Sequence, residues 1–223
     1  MDRPVQRWDD LWAGDLGLPT PQSPNNATPL HPIGAGDLDD VLERLREFFT
    51  RPGGGYQLWS AWPTPDLSHR GFTTFSCPAM VLPAGSEPRP VPPELRIVEV
   101  GDDSTLSHTE ALWNDSFELG ATPGGVVDRR ALGAWRMWVG YVEDRPVASA
   151  AAHESHGLVG IYAVATTPSA RGHGYGEALT WAAVRSRPDL PAALQASSMG
   201  RPVYARMGFQ QVGTFTVWER PER

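Results

Sequence analysis

Residues 160–184, GIYAVATTPSARGHGYGEALTWAAV, constrain the fold of this chain more than any other stretch. An apolar run of strand length leads into a turn that holds Gly172, Gly174 and Gly176, and a helix-like run follows at once. A strand that feeds a helix through such a turn sets the helix start beside the strand end. The first N–H groups of a helix lack intrahelical partners and lie at the positive end of a dipole worth roughly half a charge. Glycines let a ligand approach those groups with no Cβ in the way. Arg171 adds a permanent, forked cation that suits phosphate oxygens. The turn is predicted to be a pyrophosphate cradle.

Two familiar phosphate loops do not fit. A dinucleotide fingerprint needs glycine three positions after Gly174, where Glu177 stands, and its strands would alternate with helices. A Walker-type loop needs lysine, and all 19 basic residues of this chain are arginine. What the turn resembles is the acyl-CoA signature of the GNAT acetyltransferases, Arg/Gln-x-x-Gly-x-Gly/Ala after a strand, met by Arg171, Gly174 and Gly176. The later stretch LQASSMGRPVYARMGF, residues 194–209, is similar to the family's Tyr-x-x-x-Gly-Phe segment through Tyr204, Gly208 and Phe209.

The order of elements after residue 94 fits the same family. ELRIVEV (94–100) reads as a strand and STLSHTEALWNDSF (104–117) as a helix, with Leu106, Thr109, Ala111, Leu112 and Trp113 available for burial. A short helix is expected near 127–134. Residues 134–168 supply two or three antiparallel strands, with EDRP and HESHG as turns. The glycine turn and its helix, a strand AALQAS, a short helix at 200–207 and a last strand FQQVGTFTVWER complete it. The expected class is α+β, a mixed and mostly antiparallel sheet flanked by helices, with a smaller α/β subdomain in front.

PAGSEPRPVPPE, residues 83–94, has five prolines in twelve positions and reads as a linker. It divides the chain into an N-terminal region, 1–90, and a GNAT domain, 91–223. Residues 17–32 read as an extended, loosely structured lead-in. DLDDVLERLREFF (37–49) has helical spacing, with Asp37 placed to cap it. Gly53, Gly54 and Gly55 make a turn into a strand YQLWSAW, and GFTTFSCPAMVLP (71–83) is a further strand or strand pair. This half resembles the truncated GNAT-like region of bacterial tandem proteins or an unrelated cap. It has no Arg-x-x-Gly-x-Gly loop.

The resemblance implies direct acetyl transfer from acetyl-CoA to an amine of a small molecule or peptide. In that scheme the backbone of Val164, Ala165 and Thr166 bonds the thioester carbonyl and pantetheine arm. Arg171, Gly172, His173, Gly174, Tyr175 and Gly176 hold the pyrophosphate, chiefly through backbone N–H groups. Tyr204 matches the family's tyrosine that protonates the departing thiolate. Leu158 occupies the place where some members carry a glutamate base, which leaves Asp115, Glu118 or a water chain for that task. Ser197 stands where many members have asparagine. His153, Glu154 and His156 read as a solvated turn, their spacing is not that of a metalloprotease, and no metal is expected.

The same residues also fit an acyl-CoA-binding module without turnover, or an interaction protein on this fold. The net charge of −7 argues against general affinity for nucleic acid or anionic membranes. The single cysteine, Cys77, and the charged N-terminus fit a cytoplasmic protein. A homodimer is compatible with the family. The nine tryptophans can line an acceptor site, a core or a dimer surface.

Overall fold

A computed structural model describes residues 5–15, 25–50, 55–119, 124, 126–127 and 129–221. In chain order the elements are β1 (Val5–Arg7), β2 (Leu11–Gly14), β3 (Asn26–Pro29), α1 (Leu38–Phe48), β4 (Tyr56–Ser60), β5 (Thr73–Leu82), β6 (Arg96–Glu99), α2 (Asp103–Ser116), β7 (Arg136–Val142), β8 (Arg145–Ser155), β9 (Leu158–Thr166), α3 (Tyr175–Val184), β10 (Ala192–Gln195), α4 (Arg201–Met207) and β11 (Gln210–Arg220). The expected short helix near 127–134 is a 3-10 turn, Arg129–Gly133. Residues 17–24 of the expected lead-in, Gly53 and Gly54 of the turn before β4, and most of the loop 120–127 lie outside the described residues.

The chain divides into two compact units. Unit 1 comprises Met1–Cys77, Glu118–Ala121 and Gly213–Arg223, and unit 2 comprises Pro78–Phe117 and Thr122–Val212. The division falls at Cys77/Pro78, ahead of the proline run expected to separate the halves. The cause is β5, which runs unbroken to Leu82 and pairs its last four residues with β10. The proline run therefore belongs wholly to unit 2.

In unit 1, β1–β2 and β2–β3 pair antiparallel, β3 pairs parallel with β4, and β4 pairs antiparallel with residues 216–220 of β11. The lead-in expected at 17–32 thus ends in a strand, because β3 gains partners on both edges. Leu38, Val41, Leu42 and Leu45 form the buried stripe of α1, packed with Leu11, Leu58 and Leu67. Fully burying one such leucine is worth about 2 kcal/mol, so the stripe rather than a cap holds α1. Asp37 makes no side-chain cap; its backbone is already helical, at φ −96° and ψ −10°. Arg44 reaches back to grip Asp10 with two hydrogen bonds of 2.7 and 2.8 Å.

In unit 2 the strands lie in the order β5, β10, β9, β8, β7, β6, antiparallel except for β10 with β9. Strand β8 sits in the middle, and Ala148, Ser149, Ala150, Ala151 and Ala152 are all buried. Their small side chains let helices approach both faces. One face presents Trp138, Ala150, Val159 and Ile161 to Leu179 and Trp181 of α3. The opposite face presents Met137, Val139 and Ala151 to Leu112 of α2. Asp102 caps α2 by accepting from the Thr105 N–H at 2.8 Å. Of the side chains expected to be buried on α2, Thr109 and Leu112 are, Leu106 and Trp113 are half-buried, and Ala111 is exposed.

Glu110 of α2 is buried. Its carboxylate accepts from the Gly124 N–H at 2.6 Å and the Val126 N–H at 2.7 Å. Charge-assisted bonds to a buried carboxylate are the strong kind. Glu110→Ala is expected to lower unfolding stability by about 2 kcal/mol, read as a shift in the urea midpoint at constant slope. No shift would mean that water replaces both bonds without loss.

Candidate functional site

The site begins with an irregularity in β9. Ser149 pairs with Ala165 and Ala151 with Tyr162, so β9 spans three residue steps where β8 spans two. The extra residue is a β-bulge, and Ala163 takes the left-handed backbone that accommodates it, at φ +49°. On the other edge, β9 pairs with β10 only through Val159–Ala192 and Gly160–Ala193. Strand β10 then continues along β5 to Gln195. From Ile161 onward the two parallel strands part, and the far edge of β9 is open.

Strand alternation decides which N–H groups reach that edge. The Thr167 N–H donates to the Val147 carbonyl at 2.9 Å, so it points to β8. The neighbouring Thr166 N–H points the other way, and Val164, two residues back, shares its direction. Ala165, expected to bind alongside them, turns its backbone toward β8 and is buried. The Arg171 guanidinium folds back onto the same edge, and its Nε donates to the Thr166 carbonyl at 3.3 Å.

A short 3-10 turn, Pro168–Ala170, carries the chain from β9 into the glycine turn. The three glycines divide their labour. Gly172 and Gly174 have φ values of +84° and +81°, a left-handed backbone that a Cβ disfavours by roughly 1–2 kcal/mol. Gly176 serves close approach: a Cβ there would lie 3.0 Å from Thr166 Oγ1, so its absence seats the first turn of α3 against β9. Gly174 occupies the N-cap position of α3 and, having no side chain, leaves the leading N–H groups of the helix uncapped.

The two aromatic residues of the turn stack on each other, with ring centroids 5.4 Å apart. The Tyr175 ring is buried in the unit 2 core, and its hydroxyl donates to Glu94 at 2.8 Å. That bond raises the tyrosine pKa and, with a backbone bond, lowers that of Glu94. His173 is exposed, with Nδ1 placed 3.0 Å from the Arg171 carbonyl.

Tyr204 stands on α4, its ring folded over Gly200, where a Cβ would come within 2.7 Å, and set edge-on to Phe209 at 5.7 Å. It is buried, and desolvation of the charged form pushes its pKa up to about 12. Ser197 Oγ accepts from the Gly200 N–H at 3.0 Å and so tightens the start of α4. Gly208 closes the helix with a left-handed backbone.

The residues weighed as bases are scattered. Leu158 is an exposed apolar residue at the start of β9, and Asp115 and Glu118 are exposed at the end of α2. The expected solvated turn at 153–157 is shorter than its sequence implied: β8 runs to Ser155 and the reversal is made by His156 and Gly157, both left-handed. Glu154 pairs with Arg187, and His156 with Ser155. His153 lies within the strand. Its Nδ1 stands 2.8 Å from the Ala134 carbonyl, which can only accept, so Nδ1 carries the hydrogen and Nε2 of the neutral ring keeps its lone pair. The ring stacks on Trp135 at 5.1 Å, and Trp135 meets Tyr162 edge-on at 4.9 Å. This aromatic wall, on the face of α2 and next to the bulge, was not foreseen. Its sequence signal is the bare Gly160, opposite His153, over which the Tyr162 ring lies.

No group of three metal-ligating side chains occurs among the described residues, and none of their helices is long and apolar enough to cross a membrane.

Comparison with known proteins agrees with this geometry. Residues 125–191, which include the bulged strand, the glycine turn and α3, match the family model described as an acetyltransferase (GNAT) domain. No curated protein matches the chain. Among solved structures, a GCN5-related N-acetyltransferase from Kribbella flavida is similar at 18% identity over 99% of this chain and 90% of that one, with a TM-score of 0.72. A functionally unknown conserved protein from Staphylococcus epidermidis matches at 15% identity over 100% and 95%, with a TM-score of 0.66. A tandem GNAT protein from the clavulanic acid biosynthesis pathway matches at 14% identity over 95% and 78%, with a TM-score of 0.59. At such identities these structures share the fold. Residues 125–191, with the bulged strand and its glycine turn, thus match the GNAT acetyltransferase domain, and the chain shares the fold of these structures.

Proposed function

We propose that this chain transfers an acetyl group from acetyl-CoA to a primary amine of a small molecule or peptide. The observation that carries this reading is the open edge of β9, which leads through a 3-10 turn and the glycine turn to an uncapped helix N-terminus. The Val164 and Thr166 N–H groups suit a thioester carbonyl and a pantetheine amide, and the 171–176 turn suits a pyrophosphate. The amine nitrogen attacks the thioester carbon, the carbon–sulfur bond breaks, and the sulfur leaves with the electron pair. Tyr204 donates a hydrogen bond to that thiolate. The amine must shed its proton before attack, and His153 Nε2 is a fixed acceptor on the face that carries the aromatic wall.

The N-terminal half, residues 1–90 in the sequence division, is read as a degenerate GNAT-like subdomain with no donor site of its own. The resemblance over nearly the full chain to a tandem GNAT protein supports it.

Calorimetric titration with acetyl-CoA followed by thiol release against an amine panel tests the reading. Saturable micromolar binding and amine-dependent thiol release are expected. Binding without release from any amine would make the chain an acyl-CoA-binding module. Absence of binding would overturn the reading altogether.

A further inference from the structure

Away from the glycine turn, the side of α3 that faces the proline run borders an open trough of about 710 Å³. That volume lies within the range of small-molecule sites, roughly 300–1,000 Å³. Its walls come from unit 2 alone: Val91 of the proline run, Ile97 of β6, Trp138 of β7, and Ala178, Trp181 and Ala182 of α3. Ala178 and Ala182 are one helical turn apart, and their small side chains leave the room that larger residues would fill. Pro88 and Pro90 fix the opposite wall, since each proline locks its own φ. Trp138 and Trp181 supply flat, buried surfaces.

The trough is basic in a chain that is acidic overall. Arg136 is committed: it grips Glu99 with bonds of 2.8 and 2.9 Å and lies over the Trp138 ring at 5.3 Å. Arg185 is exposed and has no ion pair among the described residues. Arg89 stands 3.8 Å from its nearest carboxylate, Glu177, beyond hydrogen-bond reach.

We propose that this trough is a second small-molecule site, separate from the glycine turn, for a flat apolar ring compound that carries one carboxylate or sulfonate. The ring lies against the α3 wall of Ala178, Trp181 and Ala182, and the anionic group meets Arg185. This site stands whether or not the chain transfers acetyl groups.

Calorimetry on the full chain with 2-naphthoate tests it. Saturable binding at one site is expected, unchanged by saturating acetyl-CoA. Arg185→Glu, an exposed change that leaves packing alone, should weaken binding at least about tenfold. Ala182→Trp should remove it by filling the trough, and 2-naphthylmethanol, which lacks the charge, should bind at least about tenfold more weakly. No binding to the wild type would overturn the proposal. So would binding that ignores Arg185→Glu, or that acetyl-CoA displaces mole for mole.

Discussion

Gly174→Glu is expected to weaken acetyl-CoA binding by about 100-fold or more, roughly 3 kcal/mol, while the protein remains folded. Two effects add. The backbone at 174 lies at φ +81°, which costs a side chain about 1–2 kcal/mol in the folded protein. The new carboxylate would also sit at the N-cap of α3, where the helix presents its uncapped N–H groups and positive dipole end. It would occupy the place of the pyrophosphate and repel it. Space is not the obstacle, since a Cβ there meets only Pro92 Cγ at 3.8 Å. Gly174→Ala separates the two causes: it carries the backbone strain without the charge, and should lower the melting temperature similarly while weakening binding far less. If glutamate and alanine weaken binding equally, the turn is not an anion site and its glycines serve the fold alone.

Tyr204→Phe is expected to lower kcat by about 100-fold, near 3 kcal/mol of transition-state stabilisation, with acetyl-CoA binding almost unchanged. A phenol at a pKa of about 12 is a weak acid beside a thiol near 8.5. Complete proton transfer to the thiolate would be uphill by roughly 5 kcal/mol at 1.36 kcal/mol per pKa unit. In the proposed reaction Tyr204 would therefore act as a hydrogen-bond donor to sulfur while the carbon–sulfur bond breaks, with the proton following late. Turnover equal to wild type would remove Tyr204 from the reaction.

Burial of the same phenol gives a stability signature. The folded pKa lies above the unfolded value of 10, so the folded state holds the proton more tightly. The contribution is intact below pH 10 and is lost as pH rises through about 12. Tyr204→Phe should flatten that part of the stability curve.

Much of the fold after residue 94 was legible because its strands alternate and its turns carry glycine, proline or paired charges. Unit 1 was harder to read. Its first three strands are three or four residues long, too short for a period to show, and β3 exists because partners flank it on both edges. The compact units divide at Cys77/Pro78 rather than at the proline run. Prolines mark where a chain leaves a sheet, but the division between compact units depends on what the strands on either side pair with. That division falls within one continuous strand, β5, whose residues 79–82 pair with β10.

By itself, the sequence determined the local chemistry of the site: a cation at 171, left-handed positions that only glycine fills without strain, and a tyrosine one helical turn ahead of Gly208. These are properties of a residue and its chain neighbours. Tertiary structure alone decided the bulge at Ala163, the parting of β9 from β10, and the turning of Ala165 toward β8 while Val164 and Thr166 face the open edge. It also decided the burial of Glu110, the pKa of Tyr204 and the fixed tautomer of His153. Each of these depends on a partner far away in sequence, through strand register, desolvation or a hydrogen bond across the sheet, and no local pattern records it.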